Sequence, residues 1–509
     1  MADAKREVER KYEATPETRL PDLTRAAGVS AVVHRGLSEL DAVYYDTVDL
    51  RLAADSLTLR RRTGGDDAGW HLKIPVSADV RDEIRAPLTD ALPPALGDLL
   101  RSRVRRTPVD PVVRILSARD VHHLLDADGA LLAELSVDEV LAERLTEDGH
   151  GTTSTWTEIE VELADDADPA LLDAVERRLR KAGVRPAAAP SKLSRALAET
   201  APDEPPRTER RKPSPRTAGD HVLAYVRRQV TALVELDPAV RRDLPDSVHR
   251  MRVATRRLRS ALRTYRKVLD RGVTDPLRDE LKWLAAELGV DRDQEVLDAR
   301  LGSRVAALPE TLVLGPVDAR LRLTSVARRS GSRGRAVAVL DAERYLTLLD
   351  ALDALLADPP LRPAAARKPR DVLPRAVLKE YERLATRVGN ALGLPAGEER
   401  DIALHEARKA AKRVRYAAEA ARPALGRPAK RFAKRMKSVQ SVLGDHQDSV
   451  VARDALRTLA AQAHGAGESA FTWGLLYGRE EATARARERE LPGVWARASR
   501  PGLRAALKG

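Results

Sequence analysis

The pattern of hydrophobic and polar positions changes near residue 200. Before it, apolar residues mostly alternate with polar ones, which predicts short β-strands, whereas after it they recur with the helical period of 3.6, as in "HVLAYVRRQVTALVEL" and "RYLTLLDALDALL". Between the two lies "APDEPPRTERRKPSPRTAGD", which is rich in Pro and charge and has no apolar period. We therefore predict an α+β protein with a β-rich domain at 1–200, a linker at 201–218 and an all-helical domain at 219–509.

The predicted strands carry charges at every second position. In "EVERKY", Glu7, Glu9 and Lys11 fall on one face of a strand. The same spacing recurs at Arg60 and Arg62, at His71 and Lys73, at Arg81, Glu83 and Arg85, at Glu134, Ser136 and Asp138, and at Glu158, Glu160 and Glu162. A half-exposed sheet would explain any one such strand. Six of them, some purely basic and some purely acidic, favour a closed barrel with the charges inside and helices such as 169–182 outside.

A charged interior needs compensation, because charges removed from water are costly unless paired or ligated. The surplus of Glu predicts a hard divalent cation held by oxygen atoms, Mg²⁺ or Mn²⁺. The Arg and Lys residues predict a multiply charged oxyanion such as a polyphosphate. The chain has no Cys, which excludes disulfides, thiolate metal sites and a Cys nucleophile.

These residues resemble a known family. "EVERK" is similar to the ExExK signature of the CYTH proteins, the triphosphate tunnel metalloenzymes, and the likeness extends over roughly residues 3–200 through "LRRR", "HLKI", "RDEIR", "SVDEV", "EIEVEL" and "SKLSRAL". The family fold is an eight-stranded antiparallel tunnel with flanking helices. The resemblance therefore implies the same inverted barrel that the charge pattern favours.

The resemblance also implies roles for individual residues. Glu7 and Glu9 would bind metal together with Asp138, Glu160 and either Glu158 or Glu162. Phosphates would be held by Lys11, Arg60, Arg62, Lys73, Arg85, Arg119 and Lys192. Glu7, Glu9, Lys11 and Glu83 would form the catalytic set, with Glu83 either ligating metal or orienting a base. Arg114 and Arg119 have opposite parity, and we expect Arg119 to be the inward residue.

Charge separates the two halves of the chain. Residues 1–200 contain 28 Lys+Arg and 37 Asp+Glu, a net charge of −9, whereas the remainder contains 61 and 40, a net charge of +21. The second half should therefore bind a polyanion.

The helical half also contains an internal repeat. "HRMRVATRRLR" begins at His249 and "HEARKAAKRVR" at His405, and each is followed by a related motif, "LGVDRDQEV" or "LGDHQDSVV". We predict two duplicated units, around 219–300 and 375–455. No two His have ligand spacing on one helix, so the sequence does not favour a histidine metal site here.

The basic residues of both units recur every three or four positions and so share one helix face. This half resembles the CHAD family, in which two pseudo-symmetric four-helix bundles enclose a basic groove for inorganic polyphosphate. The resemblance implies that the groove is lined by His249, Arg252, Arg256, Arg259, His405, Arg408, Lys412 and Arg415. Aromatic residues make up only 3% of the chain, which disfavours nucleic acid as the polyanion.

Together these features predict a phosphoanhydride hydrolase, an Mg²⁺- or Mn²⁺-dependent inorganic triphosphatase, joined to a polyphosphate-binding module. The alternatives are a non-catalytic polyphosphate-binding or sensing protein and, within the tunnel family, an adenylate cyclase, a thiamine triphosphatase or an enzyme acting on RNA ends. The polar start of the chain and the lack of long apolar runs predict a cytoplasmic protein without a membrane partner, and polyphosphate granules are a plausible location.

Overall fold

A computed structural model of the chain describes residues 3–146, 149–201 and 215–508. It divides into two compact units with the boundary between residues 211 and 212, and each is described by itself. Most of the predicted linker, residues 202–214, lies outside the described residues. Within the described ranges, no helix combines the length and apolarity needed to cross a membrane.

The first unit is built on one antiparallel sheet. Its strands are β1 (Asp3–Ala14), β2 (Ala31–Asp46), β3 (Thr58–Thr63), β4 (Gly69–Ser77), β5 (Val80–Ala86), β6 (Asp110–Leu125), β7 (Leu131–Thr146), β8 (Gly149–Leu163) and the two-residue β9 (Arg185–Pro186). The strand order is β5-β4-β3-β2-β6-β7-β8-β1-β9, and β1 also pairs with β5. That last pairing closes β1–β8 into a barrel, which confirms the predicted eight-stranded tunnel.

Four helices accompany the barrel: α1 (Arg51–Ala54), α2 (Pro94–Val104), α3 (Ala170–Lys181) and α4 (Lys192–Glu199). Helix α3 covers the outward apolar residues of β8, with Leu172 and Val175 packed in one core with Ile159 and Val161. Leu96 of α2 lies in a second core with residues of β3–β5. The outward apolar residues of β8 and of β3–β5 thus pack against helices, as the inverted alternation requires.

Helix α4 fills one end of the barrel interior. Its Leu193 and Ala196 form a small core with Ile115 of β6, Val140 of β7 and Trp156 of β8. Each of these three strand residues is an even number of positions from the inward charged residues of its own strand, so it also points into the barrel. The interior is therefore apolar at one end and charged along the rest, so that the charged cavity is closed at the α4 end.

The second unit is entirely helical apart from short turns and one isolated bridge. Its helices are α5 (Ala218–Arg241), α6 (Ser247–Thr264), α7 (Arg271–Glu287), α8 (Val290–Ala306), α9 (Val317–Asp341), α10 (Glu343–Ala357), α11 (Pro369–Gly393), α12 (Glu398–Leu425), α13 (Arg427–Gly465), α14 (Phe471–Ala498) and α15 (Pro501–Ala505). The predicted all-α class of this half is confirmed. Helix α5 begins with a capping box in which Thr217 and Asp220 satisfy each other's backbone N–H groups.

The repeated motifs lie on corresponding helices. His249 is on α6 and His405 is on α12, and these two helices contact each other. The predicted unit at 219–300 contains α5–α7 and part of α8, and the unit at 375–455 contains most of α11, all of α12 and part of α13. One large hydrophobic core of the helical domain contains side chains from both predicted repeats, so the two repeats do not have separate interiors.

Candidate active site and anion-binding groove

The charged cavity of the barrel is lined from almost every strand. It contains all seven cations predicted to hold phosphate and four of the predicted carboxylates, Glu7, Glu9, Glu160 and Glu162. Strand pairing brings them together, since Lys11 of β1 lies opposite Glu160 of β8 and Glu9 lies opposite Glu162. The period-two charge pattern therefore produces one shared interior.

Three carboxylates form a compact cluster near the α4 end. Oxygen atoms of Asp138, Glu158 and Glu160 all lie within 4.8 Å of one another, and all three residues are buried. The Nζ atom of Lys192, the first residue of α4, lies 2.7 Å from Asp138, 2.8 Å from Glu158 and 2.7 Å from Glu160. This oxygen-only donor set fits a hard divalent cation such as Mg²⁺ or Mn²⁺.

The structure places Glu158 and Glu162 differently. Glu158 lies directly opposite Asp138 on β7, whereas Glu162 lies opposite Glu134. The Glu162 carboxylate instead accepts a hydrogen bond of 2.7 Å from Lys5. It is therefore Glu158 that joins Glu160 in the cluster, while Glu162 lies further along the same face.

Glu7 and Glu9 are both buried but differ in their electrostatics. Glu7 Oε2 lies 2.5 Å from Lys73 Nζ, yet burial and the nearby Glu83 and Glu162 carboxylates raise the pKa of Glu7 to about 7. Burial also acts to raise the pKa of Glu9, but the nearby Lys11 and Lys73 ammonium groups outweigh it and lower that pKa to about 2. The pKa values of these two carboxylates on one strand thus differ because their cationic partners differ.

Glu83 lies behind the cavity wall. Its side chain is fully buried, 2.9 Å from Nδ1 of His71, 3.6 Å from Arg60 and 3.8 Å from Lys73. Burial opposes ionisation of Glu83, but these partners lower its pKa well below the usual range. Burial also lowers the pKa of His71 to about 4. This geometry suits the orienting role for Glu83 better than the metal-ligating one.

Arg119 holds the acidic cluster in place. Its Nε and Nη2 atoms each donate a 2.8 Å hydrogen bond to Asp138, and Nη2 also donates to Glu160 at 2.7 Å. Arg114 points to the other side of β6, where it pairs with Asp41 on β2. The structure thus places Arg119 inside the barrel and Arg114 outside.

Sequence reasoning assigned no role to several residues that line or support the cavity. The alternation included His71 and Arg81 without assigning them a role, and Arg81 lies 2.7 Å from Glu9. Lys5 has the same parity as Glu7 and Glu9, so the alternation alone could have included it as well. Asp67 is different: it lies in the turn between β3 and β4 and forms an ion pair with Arg62. No periodic signal exists in a turn, and only the fold brings this carboxylate to the cavity.

In the helical unit, a basic groove lies between α6, α7 and α12. Five residues of the predicted set line it: Arg256, Arg259, His405, Arg408 and Lys412. Further cations that were not in that set also line it: Arg263, Arg278, Lys282, Lys409 and Arg413. Since α7 lies outside the repeated motifs, its contribution could not be read from the repeat.

The other three predicted residues lie elsewhere. His249 is exposed in the first turn of α6, and Arg252 is buried. Arg415 lies 3.6 Å from Glu419 and its guanidinium is 4.7 Å from the centre of the Tyr416 ring. None of the three lines the groove in the described part of the chain.

Burial and the crowding of like charges lower the pKa of cationic side chains in the groove. Burial, together with Arg408 and Arg256, lowers the pKa of Lys412 to about 7. Burial, with Arg263 and Arg387, also lowers the pKa of Arg413 to about 10. The groove therefore holds cations whose charge is poorly compensated by the protein itself.

A barrel lined by carboxylates and cations, followed by a basic helical domain, defines a class of two-domain protein. Family models match accordingly: a CYTH domain at residues 5–196 and a CHAD domain at residues 224–457. CYTH domains are those of the triphosphate tunnel metalloenzymes, and CHAD domains are associated with polyphosphate binding. The chain belongs to the family of proteins that carry both domains.

Individual proteins and solved structures are similar to all or part of the chain. The protein Rv2226 of Mycobacterium tuberculosis strain H37Rv is 41% identical over 492 residues, which is 93% of this chain and 92% of that protein. The solved structure of PptA from Streptomyces chartreusis covers 55% of this chain and 100% of its own, with 22% identity and a TM-score of 0.45. The CHAD domain from the plant Ricinus communis covers 55% of this chain and 88% of its own, with 26% identity and a TM-score of 0.40.

Proposed function

We propose that the barrel is an Mg²⁺- or Mn²⁺-dependent triphosphatase that removes the terminal phosphate of a short linear triphosphate such as tripolyphosphate. One observation carries this proposal: the cations to which we assign phosphate binding line the same cavity as Glu7, Glu9 and Glu160, to which we assign metal binding. Either set alone would fit a simple anion or cation site. Together they match a substrate that brings phosphate oxygens and a bound metal ion into one space.

In this proposal the cationic side chains bind the substrate and the carboxylates bind the metal ion. Lys11, Arg60, Arg62, Lys73, Arg85, Arg119 and Lys192 hold phosphate oxygens in this proposal. Glu7 and Glu9, with the cluster of Asp138, Glu158 and Glu160, hold the divalent cation, which when bound neutralises charge on the phosphate chain. In the reaction a water oxygen bonds to the terminal phosphorus and the P–O bond to the bridging oxygen breaks. Orthophosphate and, from tripolyphosphate, pyrophosphate are released.

The closed end of the barrel fits cleavage at a chain terminus. Because Leu193, Ala196 and Trp156 fill that end, a linear substrate would enter from the opposite side and place its last phosphate deepest. The acidic cluster and Lys192 lie near that closed end, where the terminal group would stop.

We further propose that the groove of the helical unit binds inorganic polyphosphate. Its lining consists mainly of Arg, Lys and His, with Tyr416 as its one aromatic member among the described residues. A bare phosphate polymer needs cations only, whereas single-stranded nucleic acid commonly needs aromatic side chains on which bases stack. The cytoplasmic location and an association with polyphosphate granules remain predictions from sequence.

Phosphate release from a panel of tripolyphosphate, ATP and thiamine triphosphate tests the enzymatic proposal. We expect release from tripolyphosphate with Mg²⁺ or Mn²⁺, none with a chelator, and a loss of about 10²–10³-fold for Glu9→Gln. Arg114→Gln is the matched control, since Arg114 is outward and pairs with Asp41 on β2. Turnover of tripolyphosphate by Glu9→Gln at the parental rate would refute the assignment, and inactivity of the parent on every substrate would leave the binding-protein alternative. Preferred release of phosphate from thiamine triphosphate would instead favour a thiamine triphosphatase, and formation of cyclic AMP and pyrophosphate from ATP would favour a cyclase.

A further inference from the structure

A second group of potential metal ligands lies in the helical unit, where no histidine site was expected. Asp401 of α12, His446 of α13 and Glu488 of α14 each place one ligand atom within 4.8 Å of the other two. His446 Nε2 lies 3.3 Å from Asp401 and 3.4 Å from Glu488. The three residues come from three helices and are far apart in sequence, so no local spacing could have revealed them.

The histidine at the centre of this group has unmet hydrogen-bonding capacity. His446 is only 2% exposed, and neither of its ring nitrogens makes a hydrogen bond within the part of the chain that the structure describes. Buried polar atoms in native proteins nearly always have a partner. A buried imidazole nitrogen that lies 3.3 Å and 3.4 Å from two carboxylate oxygens, without a well-aligned hydrogen bond to either, is placed as a metal ligand would be.

The two carboxylates are held by their outer oxygens. Asp401 Oδ2 accepts a 2.7 Å hydrogen bond from Arg453, while Oδ1 faces His446. Glu488 Oε2 lies 3.2 Å from Arg400 Nε, while Oε1 faces His446. Each acid thus has one oxygen fixed by a guanidinium and the other turned toward the imidazole. Outer partners of this kind orient the ligands of metal sites.

The two distances from His446 Nε2 to the carboxylate oxygens match a small four-coordinate ion. Metal–ligand bonds of about 2.0–2.1 Å at tetrahedral angles put neighbouring ligand atoms about 3.3–3.4 Å apart. We propose that Asp401, His446 and Glu488 bind a divalent transition-metal ion, with Zn²⁺ the best match, and that water completes the coordination. One imidazole with two carboxylates suits Zn²⁺, whereas the tunnel's all-oxygen set suits Mg²⁺ or Mn²⁺. Asp401 and Arg453 also line a surface pocket that offers the ion a path.

An ion here would brace the basic groove. Asp401 is one helical turn before His405 on α12, and the same helix carries Arg408 and Lys412. The ion would fix α12 to α13 and α14 and so hold these groove residues in position. This inference does not depend on the triphosphatase proposal, because its ligands are separate from those of the barrel.

The test uses the full-length protein and Zn²⁺ as the probe. Equilibrium dialysis with elemental analysis should give one more bound Zn²⁺ per chain in the wild type than in Glu488→Gln or Asp401→Asn, both nearly isosteric. Glu490→Gln, a change on the exposed part of the same helix, is the matched control and should keep the wild-type stoichiometry. Equal stoichiometry in the wild type and both isosteric variants, with unchanged circular dichroism, would overturn the proposal.

Two further measurements separate this site from the tunnel. Co²⁺ should give the strong visible bands of a nitrogen-ligated tetrahedral ion in the wild type and in Glu9→Gln, but not in Glu488→Gln. Zn²⁺ should raise the melting temperature of the wild type and Glu490→Gln and leave Glu488→Gln unchanged, since only a ligand that binds the folded state stabilises it. A Co²⁺ spectrum that Glu9→Gln abolishes and Glu488→Gln keeps would place the ion in the tunnel and contradict the assignment.

Discussion

The barrel and the groove differ in how far their cations are paired with carboxylates. In the barrel the cations already have carboxylate partners: Lys192 contacts three acids, and Arg119 contacts two. In the groove Arg259 and Lys412 make no ion pair with a described residue, and burial among like charges lowers the pKa of both. A closed interior must neutralise its charges from within, whereas an open groove can leave that to water and a ligand.

This difference predicts different binding behaviour. An anion entering the barrel must replace existing ion pairs, so binding there should depend on a metal ion that takes over the displaced carboxylates. An anion entering the groove meets Arg259 and Lys412, which make no ion pair with a described residue, so binding there should need no metal and should weaken with salt. The four predictions below test this contrast, from the largest expected effect to the smallest.

The largest effect should come from Glu160→Gln. Glu160 accepts hydrogen bonds from Lys11, Arg119 and Lys192, so loss of its charge disturbs three cations and the acidic cluster together. We expect tripolyphosphate turnover to fall about 10²–10³-fold. Binding of long polyphosphate by the groove should not change. Weakened binding of long polyphosphate by this variant would contradict the separation of the barrel site from the groove site, because it would mean that one site serves both functions.

Leu193→Ala should destabilise the barrel selectively. Leu193 is 1% exposed in the core that closes the tunnel, and truncation of a buried Leu costs about 2–5 kcal/mol. In a background in which the other four Trp are replaced by Phe, denaturant unfolding followed by Trp156 fluorescence should shift to lower denaturant, whereas helical circular dichroism should keep a transition at the parental midpoint. Leu197→Ala, on the same helix but only partly buried, is the control and should cost less. An equal shift for both variants would mean that α4 does not plug the barrel as described.

Lys412→Gln should weaken polyphosphate binding about tenfold, the loss of one charge-assisted contact of about 1.5 kcal/mol. The slope of binding against salt should also become shallower by about one unit. Tripolyphosphate turnover should remain at the parental level. The exposed Lys379 on α11 provides the control, since Lys379→Gln changes net charge equally but lies outside the lining of the groove. Identical losses for the two variants would indicate that only net charge matters.

The smallest effect should be the pH dependence of polymer binding. Because the pKa of Lys412 in the free groove is lowered to about 7, its charge is present below that pH and is lost above it. An anion restores the charged form, so affinity for long polyphosphate should fall several-fold between about pH 6 and pH 8. Lys412→Arg should flatten this dependence, because Arg stays charged across the range. A wild-type profile already flat over this interval would contradict the lowered pKa.

Local sequence pattern predicted the barrel interior better than the groove. Strand periodicity assigns Glu7, Glu9, Arg60 and Lys73 to one side of the sheet, because successive side chains of any strand alternate. The CHAD resemblance placed Arg415 in the groove lining, yet the described lining contains its neighbour Tyr416 and not Arg415 itself. A helix has no single inner face until its neighbours are known, which is why the contribution of α7 was also missed.

The sequence by itself determined which residues of each strand share a face, where the helical half begins and which motifs repeat, since all three follow from short-range backbone geometry and composition. Only the tertiary structure decided that Glu158 meets Asp138, that α4 closes the barrel, and that Asp401, His446 and Glu488 surround one point. These are meetings of elements distant in the chain. They depend on register, on helix packing and on the burial of specific side chains, none of which a local period contains.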